Sequence, residues 1–577
     1  MKFLSLAVEQ CNKACDWRRL DELLPVLVKR LLAGDAAALR ATDPYESLLY
    51  VNSAATSLRV AKEHVAIADR NRKDSEAVVL ASRYRYWLNL ATSLRIGILS
   101  ADMRHHPVAQ TLLGVLQAIR NRSLHVYVVV FSMCPEKPND KVQQAIRSQV
   151  DSWHNIHAIA DEAAAQMVAD EGIHVLLEMQ GHTLHRRIGI ALRRPAPVAI
   201  SMQGFPASTG MPPESLPYIL GDNVVLPPEL ATPAVVSEQV IYMPFSFIAC
   251  GYRRSLSIPM PESNEVDQSD PGGTRGMAIP RLPQQSDSGS APSLSIQRRL
   301  SWVDVDSAWG QELDHLRLDA VVQQLRDLLS RYPSLNTTAE LRQAGLFILA
   351  DPSQEVEPVD AVQQTPPVAS DAPILIRLCA NNRAAKVDAT AMTLWSNVLS
   401  RVHRNRQFWM DGQFHDAKRN LLAEAAARGA VHGVDAGRDT TYEDYMQRLG
   451  QCDLFLDTLT YGAHTVGLDA LYMGLPIITV AGGQMANRVG ASLMTAVGGG
   501  IHVEPSLKAY EDAAVAHSNA KATQKQNDYR QTEDRLSRTY DPMLLTPSRT
   551  SPLFDASAFA EDLVTAMQRA WEHERSL

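Results

Sequence analysis

The stretch from residue 454 to residue 480 constrains the fold of this chain more than any other. It starts with the apolar run Leu454–Leu456, passes through a glycine-containing loop and a helical pattern rich in small residues, and ends after Gly474-Leu-Pro476 in a second apolar run. Two short apolar strands joined by one helix form a βαβ crossover, which requires a parallel sheet. The loop before the helix presents free backbone N–H groups, so it suits an anion.

The same alternation of apolar strands and amphipathic helices recurs over two long parts of the chain. It covers residues 91–252, and it resumes over residues 372–577, which end in one amphipathic helix. Alternating strands and helices with polar loops after the strands indicate open, mostly parallel α/β sheets. We therefore predict two α/β domains, of which the first is a nucleotide fold.

Two further parts of the chain lack this alternation. Residues 1–90 carry apolar positions at helical spacing and predict a helical segment. Residues 253–371 are rich in Ser, Pro, Gln, Asp and Gly and have almost no apolar periodicity, so burial cannot offset the entropy of ordering. We predict that this insert is largely disordered and not catalytic.

Composition restricts the classes of partner and compartment. With 45% apolar residues over 577 positions, the chain has enough apolar surface for sizeable cores. Its formal charge of −8 predicts neither a nucleic-acid partner nor an anionic membrane surface. The six cysteines form no CxxC pair, and no apolar run approaches the ~18 residues that a membrane span needs. Free thiols in the cytoplasm or nucleus are therefore expected.

Polar residues at the start of the helix in the 454–480 stretch form the first candidate site. His464 and Thr465 stand where this helix begins, and Asp469 lies one turn further along. Unpaired N–H groups at a helix N-terminus suit a diphosphate, a Thr hydroxyl adds one donor, and a carboxylate one turn in suits ribose hydroxyls. For Thr465 alone, simple capping of the helix is the commoner role.

Lys386 and His106 hold comparable positions, each in a loop that follows a predicted strand. Lys386 ends the stretch Asn381-Asn-Arg383-Ala-Ala-Lys386, where its ammonium suits a phosphate leaving group and Arg383 adds further donors. His106 precedes Pro107, which fixes the backbone and aims the imidazole from a rigid loop. Solvated surface charge for the two basic residues and a structural role for the histidine remain the alternatives.

Several common catalytic motifs are missing from the sequence. It has no HExxH motif or carboxylate cluster of the kind that binds metals, and no GxGxxG after a strand, GxxxxGK[ST] or GxSxG. Metal catalysis, dinucleotide redox chemistry, P-loop chemistry and α/β-hydrolase chemistry are therefore disfavoured.

A series of short motifs runs in order through both predicted domains. In the first half they are Cys15-Asp-Trp17, Arg95-Ile-Gly97, Ser100-Ala-Asp102, His106-Pro107, Leu192-Arg-Arg-Pro-Ala-Pro197, Gly204-Phe-Pro206, Thr209-Gly210 and Tyr242-Met-Pro244. In the second half they are Lys386-Val-Asp388, Leu456-Asp-Thr458, His464-Thr465, Gly467, Asp469, Gly474-Leu-Pro476, Arg488-Val489, Ala491-Ser492, Ser551-Pro-Leu-Phe554 and Trp571-Glu-His573. On these motifs the chain resembles the protein O-linked N-acetylglucosamine transferase family, including its plant-type relatives that act as protein O-fucosyltransferases.

The resemblance implies a fold and a reaction. The fold is a GT-B-like pair of Rossmann-like domains, with residues 91–252 as the N-terminal catalytic domain and residues 372–577 as the C-terminal nucleotide-sugar-binding domain with its closing helix. The reaction is an inverting, metal-independent transfer of a sugar from a nucleotide diphosphate to Ser or Thr hydroxyls of proteins. Residues 1–90 resemble the helical end of the tetratricopeptide array that recruits substrates in this family, and the array itself is not expected here.

The resemblance also implies roles at the positions that match the family's site. By this resemblance, Lys386 neutralises the departing diphosphate, and His464 and Thr465 contact the phosphates. Asp469 binds the ribose, and Arg448 lies near the base. Gly204 gives a backbone position in the sugar pocket, and His106 is the active-site histidine, as base or as sugar contact. Donors arranged beforehand stabilise the charge on the diphosphate more in the transition state than in the ground state.

Four residues of the predicted site depart from the family's pattern. Arg383 stands where the family typically has Gln, Tyr442 and Tyr445 stand where a Lys and a His are expected around the nucleotide, and Val466 replaces a third Thr at the helix start. Arg383 and Tyr445 are still expected at the nucleotide-sugar site, because the tyrosine ring can stack on a base.

Two groups of motifs point to different donor sugars. Gln180-Gly-His182-Thr183 is closer to the fucosyltransferase branch, whereas His106-Pro107 and residues 464–469 are closer to the glucosaminyl branch. The leading hypothesis is transfer of N-acetylglucosamine from UDP-N-acetylglucosamine to Ser or Thr hydroxyls of intracellular proteins, with the nucleotide sugar as substrate and no cofactor. The alternatives are a protein O-fucosyltransferase using GDP-fucose, a non-catalytic scaffold that retains the fold, and a glycosyltransferase with a small-molecule acceptor.

The expected partners follow from this hypothesis. They are protein acceptors that present Ser or Thr, together with the nucleotide sugar. Neither a nucleic-acid nor a membrane partner is expected, and the compartment is the cytoplasm, the nucleus or both.

Overall fold

The computed structural model describes residues 1–70, 93–248, 251, 374–402, 406–411, 415–430, 433–437, 441–498, 502–531 and 551–576. The predicted insert at residues 253–371 and residues 71–90 of the predicted helical segment lie outside the described residues. The predicted domain boundaries therefore stay predictions.

The N-terminal segment consists of helices with well-defined starting residues. They are α1 (Lys2–Lys13), α2 (Trp17–Leu32), α3 (Ala36–Ala41), α4 (Pro44–Ser47) and α5 (Ala54–Arg70). The carboxylates of Asp16, Asp35 and Asp43 each accept backbone N–H groups from the helix that follows, which satisfies donors that a helix start leaves unpaired. The buried residues of α2 recur every three or four positions, so one apolar face of this helix packs inward.

Seven parallel strands form the first sheet within the described residues. They are β1 (Leu94–Ser100), β2 (Val126–Ser132), β3 (Ser152–Asn155), β4 (Val175–Glu178), β5 (Val198–Ser201), β6 (Tyr218–Gly221) and β7 (Gln239–Tyr242), in the spatial order β3-β2-β1-β4-β5-β6-β7. The connecting helices are α6 (Pro107–Asn121), α7 (Lys141–Arg147), α8 (Asp161–Asp170) and α9 (Ile188–Ala191). Strands β4 and β5 are buried along their whole length, as is typical of a parallel sheet covered on both faces.

Six parallel strands form the second sheet within the described residues. They are β8 (Ile376–Ala380), β9 (Arg406–Asp411), β10 (Val434–Gly437), β11 (Leu454–Leu456), β12 (Ile477–Val480) and β13 (Val503–Glu504), in the spatial order β10-β9-β8-β11-β12-β13. Its helices are α10 (Ala389–Arg401), α11 (His415–Ala427), α12 (Tyr442–Leu449), α13 (Thr465–Tyr472), α14 (Val489–Ala496) and α15 (Leu507–Gln531). Short 3-10 turns occupy Ala384–Lys386, Met485–Asn487 and Pro552–Phe554, and the last helix is α16 (Ala556–Ser576). The predicted pair of Rossmann-like domains is confirmed.

The N-terminal helices pack mainly on the second domain, although they precede the first in sequence. Val8, Leu27 and Leu31 are buried in one apolar core with Leu378 and Trp395. Burial of apolar surface on a distant part of the chain contributes roughly 25 cal/mol for each Å² removed from water. The helical segment therefore belongs to the core that supports β8 and α10.

The last helix of the chain packs on the first domain. Helix α16 packs against α6 and β5 of the first domain, although its sequence position groups it with residues 372–577. Trp571 stacks on His174 with ring centroids 4.4 Å apart and an angle of 10° between the planes. No helix within the described ranges is long and apolar enough to span a membrane.

The two domains also contact each other directly through polar side chains. The Ser492 hydroxyl donates to Asp222 Oδ2 at 2.6 Å, and Arg488 Nε donates to the carbonyl of Val224 at 2.7 Å. These bonds join α14 and the residue before it, Arg488, to the loop after β6. The loops at the carboxyl ends of both sheets therefore meet at a shared interface.

We expect Trp571→Ala to destabilise the protein by about 3 kcal/mol or more, because truncation of a buried aromatic loses apolar burial and leaves a cavity. The measurement is the free energy of unfolding in denaturant. The control is Phe3→Ala, since the Phe3 side chain is 90% exposed, and it should stay within about 0.5 kcal/mol of wild type. Equal small losses in both variants would show that α16 does not stabilise the first domain.

Candidate active site

Both sheets reverse the direction in which strands are added, and candidate residues lie at these two points. The reversal lies between β1 and β4 in the first sheet and between β8 and β11 in the second. Open α/β sheets bind ligands in the crevice outside the carboxyl ends of the strands at such a point. His106 follows β1, Lys386 follows β8 and His464 follows β11.

A buried carboxylate organises the loop between β11 and α13. Asp457 is 1% exposed, and its Oδ1 accepts from the backbone N–H groups of Thr458 at 2.8 Å and Ala463 at 2.7 Å and from Asn382 Nδ2 at 3.2 Å. Its Oδ2 accepts from the hydroxyl of Thr479 on β12 at 2.8 Å. Because each of these donors satisfies a lone pair that burial removes from water, the loop is tied to both neighbouring strands.

Lys386 lies beside this loop at the end of the first 3-10 turn. Its side chain is buried, and Nζ donates to the carbonyl of Gly462 at 2.9 Å and to Asn382 Oδ1 at 3.4 Å. The same nitrogen lies 4.2 Å from the centroid of the Tyr461 ring, in cation–π geometry. The ammonium is therefore held between the loop backbone and an aromatic face.

Burial sets the protonation of this lysine. It lowers the pKa of Lys386 to about 7, while the carboxylate of Asp457 opposes the shift and the charge of Arg383 adds to it. An ammonium with a pKa near neutrality changes charge readily when an anion arrives, because the anion favours the protonated form. Lys386 is thus suited to receive a negatively charged group.

His464 stands at the start of α13 and is fixed by a second turn. Its Nε2 donates to the carbonyl of Ala486 at 3.0 Å, and its ring stacks on Tyr461 with centroids 4.6 Å apart. Burial lowers the pKa of His464 well below its usual value, and the charge of Lys386 lowers it further. The neutral ring therefore packs beside Lys386, and the N–H groups of the first turn, beginning at Thr465, carry the positive end of the helix dipole.

Asp469 lies one turn into α13 and is bonded to a residue of α12. Tyr442 Oη donates to Asp469 Oδ1 at 2.8 Å. The rings of Tyr442 and Tyr445 lie 5.7 Å apart, and burial raises the pKa of Tyr445 well above its usual value. The two tyrosines that depart from the family's pattern thus lie beside the predicted ribose carboxylate, Asp469.

Arg448, on the same helix, is held at the edge formed by β9 and β10. Its guanidinium lies 4.3 Å from the centroid of the Trp409 ring and forms an ion pair with Asp435. Stacking and pairing fix the guanidinium plane. Arg448 is therefore braced by the sheet edge, while Tyr442 at the other end of α12 reaches Asp469.

Electrostatic interactions connect His106 of the first domain to this site. Burial lowers the pKa of His106, Asp102 opposes the shift, and Arg104 and Arg383 both lower it further. Arg383 also acts on Lys386, so this exposed guanidinium influences a titratable group in each domain. Arg383 thus lies close enough to act electrostatically on both His106 and Lys386.

The imidazole of His106 is oriented by the helix that it caps. Its Nδ1 accepts from the backbone N–H of Val108 at 3.3 Å and lies 3.7 Å from Asp102 Oδ1. A nitrogen that accepts from an N–H group carries no proton, so a neutral ring holds its proton on Nε2. In this state His106 offers a donor to its surroundings.

Gly204 lies where the loops after β4 and β5 approach each other. A Cβ at this residue would stand 1.8 Å from the carbonyl oxygen of Met179, so only glycine fits. The preceding residue, Gln203, has a φ of 63°, in the left-handed region. The backbone of this predicted sugar-pocket position is therefore tightly constrained.

The sequence did not predict the structural roles of several residues that hold these loops. Gln180 joins the loop after β4 to the loop that carries His106, because its Oε1 accepts from the N–H of Ala101 at 2.8 Å and its Nε2 donates to Thr183 Oγ1 at 2.7 Å. Asp457 and Tyr461 perform the same task around Lys386. Their positions directly after strands were the available signal, since polar residues there line the ligand crevice of parallel sheets.

Comparison with known proteins connects this geometry to a family. The sequence profile of glycosyl transferase family 41 matches residues 14–270 and 363–563. A solved structure of a mutant O-GlcNAc transferase from Thermobaculum terrenum superposes with a TM-score of 0.55 at 18% identity, covering 100% of this chain and 98% of that chain. At that identity the likeness shows a shared fold.

Curated relatives agree with the profile. The UDP-N-acetylglucosamine--peptide N-acetylglucosaminyltransferase of Caenorhabditis elegans is 23% identical over 587 residues, which cover 97% of this chain and 48% of that protein. The probable UDP-N-acetylglucosamine--peptide N-acetylglucosaminyltransferase SEC of Arabidopsis thaliana is 23% identical over 425 residues, which cover 73% of this chain and 33% of that protein. This chain thus spans about half or less of the length of these relatives. The resemblance predicted from the motifs is confirmed, and because the profile matches most of both α/β domains, the chain belongs to glycosyl transferase family 41.

Proposed function

We propose that this protein transfers N-acetylglucosamine from UDP-N-acetylglucosamine to Ser or Thr hydroxyls of proteins, with inversion at the anomeric carbon and without a metal. The observation that carries the proposal is the buried Lys386, held against Tyr461 and the Gly462 carbonyl beside the N-terminus of α13. The names of the two curated relatives support the choice of donor and acceptor.

The chemistry follows from where charge develops. The acceptor oxygen bonds to the anomeric carbon while the bond from that carbon to the diphosphate breaks. The diphosphate leaves with the electron pair, and the hydroxyl proton passes to water. The Lys386 ammonium and the first-turn N–H groups of α13 stabilise the new charge, and they need little rearrangement because Asp457 and the second turn already fix them.

His106 acts in this proposal as a sugar contact and not as the base. Its Nδ1 is engaged by the Val108 N–H, so the neutral ring presents Nε2–H to the cleft. A donor at that place suits a hydroxyl or carbonyl oxygen of the sugar. Gly204 completes the sugar pocket with backbone at close range, since no side chain fits there.

The nucleoside half of the donor is assigned to α12 and α13. Asp469 binds the ribose hydroxyls through its carboxylate, while Tyr442 fixes one carboxylate oxygen. Tyr445 and the braced Arg448 provide aromatic and cationic surfaces for the base. Thr465 adds a hydroxyl donor to the phosphates, and Arg383 supplies further positive charge at the mouth of the site.

One observation favours a second donor. The loop Gln180-Gly-His182-Thr183, which is closer to the fucosyltransferase branch, is bonded to the His106 loop through Gln180 and so borders the proposed sugar pocket. The alternative function is therefore protein O-fucosyltransfer from GDP-fucose. A non-catalytic scaffold remains the rival class, motivated by Tyr442, Tyr445 and Val466.

The remaining expectations also belong to this proposal. The partners are the nucleotide sugar and protein acceptors, with no cofactor, no nucleic acid and no membrane. A reducing compartment, cytoplasm or nucleus, is supported by the five cysteines of the described residues, which are all free thiols.

We expect Lys386→Met to lower kcat for sugar transfer by about 10²-fold, because removal of one donor from a developing charge costs about 3 kcal/mol of barrier. The measurement is steady-state transfer of radiolabelled sugar to a Ser/Thr-rich peptide. Lys508→Met is the matched control, since Lys508 lies on the surface of α15 and pairs with Asp512. Undiminished transfer in the Lys386 variant would refute its role.

Affinity for UDP should fall as pH rises above about 7, because Lys386, whose pKa is about 7, then loses the proton that attracts the diphosphate. We expect a loss of about tenfold over the next pH unit. Calorimetry between pH 6 and pH 9 measures it. The Lys386→Met variant removes this dependence and leaves only the titration of UDP itself; equal profiles in both proteins would contradict the assignment.

The donor is decided by offering UDP-N-acetylglucosamine and GDP-fucose separately to the wild-type protein. We expect transfer from the first, because residues 464–469 and His106 match that branch. Preference for GDP-fucose would select the alternative. Failure of both UDP and GDP to bind in calorimetry would favour the scaffold.

A further inference from the structure

The N-terminal helical segment reaches the turn that carries Lys386. Asn12 is 4% exposed, and its Nδ2 donates to the carbonyl of Ala385 at 2.8 Å. The Cys15 thiol donates to the carbonyl of Ala384 at 3.3 Å. Two successive carbonyls immediately before Lys386 are therefore held by residues more than 360 positions earlier in the chain.

The same segment also reaches the turn that holds His464. Asn487 Nδ2, in the turn Met485–Asn487, donates to Asn52 Oδ1 at 2.9 Å. The neighbouring carbonyl of Ala486 accepts from His464 Nε2 and from the backbone N–H of Gly462, each at 3.0 Å. The carbonyl of that same Gly462 accepts from Lys386. A contact at Asn52 is thus linked by successive hydrogen bonds to both basic residues.

An apolar cluster lies between these two polar attachments. Leu48 and Leu49 of the helical segment are buried with Phe205 of the first domain and Tyr461 and Ala486 of the second. Tyr461 is the ring against which both the Lys386 ammonium and the His464 imidazole pack. Three parts of the chain therefore meet directly behind the proposed diphosphate site.

We propose that Asn12 and Asn52 are positioning residues for the diphosphate site, acting through the turns Ala384–Lys386 and Met485–Asn487. The meaning of the site rests on the proposed function, whereas the contacts themselves do not. A displacement of about 1 Å in a positioned group can cost about 10²-fold in rate. The helical segment is then part of the catalytic unit and not only a cap on the second domain.

The charge state of Lys386 gives a readout that a purely structural role would not move. Its amine owes the depressed pKa first to burial, and we expect that burial to require the closed turn Ala384–Lys386. Without the Asn12 bond, the Ala385 carbonyl is left without its donor and is free to turn toward water. The amine then becomes better solvated, and its pKa moves back toward the usual value for lysine.

The experiment compares the wild-type chain with Asn12→Ala, Asn52→Ala and Asn420→Ala. Asn420 is a matched control, because its Nδ2 also donates to the helical segment, to the carbonyl of Ala14 at 2.9 Å, but from α11 and not from either turn. Acylation of Lys386 between pH 6 and pH 10, followed by peptide mass spectrometry, gives the pH midpoint of its reactivity. Thermal unfolding is measured on the same samples.

We expect the midpoint of Lys386 to rise by about one pH unit in Asn12→Ala, by less in Asn52→Ala, and not at all in Asn420→Ala. Sugar transfer should lose about tenfold in kcat in the first two variants with little change in KM for the peptide. Equal midpoints and equal kcat in Asn12→Ala and Asn420→Ala, at similar thermal stability, would overturn the proposal. If the wild-type protein transfers no sugar but the Lys386 midpoint still rises in Asn12→Ala, the positioning role stands and the proposed function is rejected.

Discussion

The site depends on one buried carboxylate. Asp457 gathers backbone and side-chain donors from its own loop, from the loop after β8 and from β12, and its charge opposes the loss of the proton on Lys386. Burying a charge is costly unless its lone pairs are satisfied, and here the donors that satisfy it are the groups that shape the loop. Close approach is part of the arrangement, because a Cβ at Gly490 would stand 2.3 Å from Asp457 Oδ2. The loop that suits an anion is therefore the consequence of an anion already buried beneath it.

Much of the fold could be predicted because buried parallel strands and their crossover helices leave a strong apolar pattern. An edge strand such as β3 leaves a weaker pattern. All four residues of β3 are only half-buried, so no clear apolar run marks it. The sequence also did not predict which domain each end of the chain packs against. Nothing in the amphipathic pattern of α16 indicates that its apolar face, with Trp571, covers the first domain and not the second.

For the candidate site too, some residues could be predicted from the sequence and others could not. Lys386, His464 and Asp469 were predicted because each follows a strand or begins a helix and matches a family motif, and the structure places them at one switch point. The residues that hold them were not predicted. Asn12 reads in sequence as one polar position of an amphipathic helix, and its bond to Ala385 spans 373 residues. Long-range polar contacts of this kind have no local sequence signature. An asparagine is equally expected on a solvent-exposed helix face, where it makes no such contact.

The departures at α12 and α13 alter how charge is balanced at the site. A phenol at Tyr442 donates a hydrogen bond to Asp469 but leaves the carboxylate its full charge, whereas a lysine would neutralise it. Val466 removes one hydroxyl donor from the helix start, and the low pKa of His464 keeps that ring neutral. Under the proposed function, neutralisation of the diphosphate therefore depends on Lys386, on the backbone N–H groups of α13 and on Arg383, whose charge already acts on groups of both domains. Arginine in place of glutamine is the one departure that adds positive charge, and it compensates in part for those that remove donors.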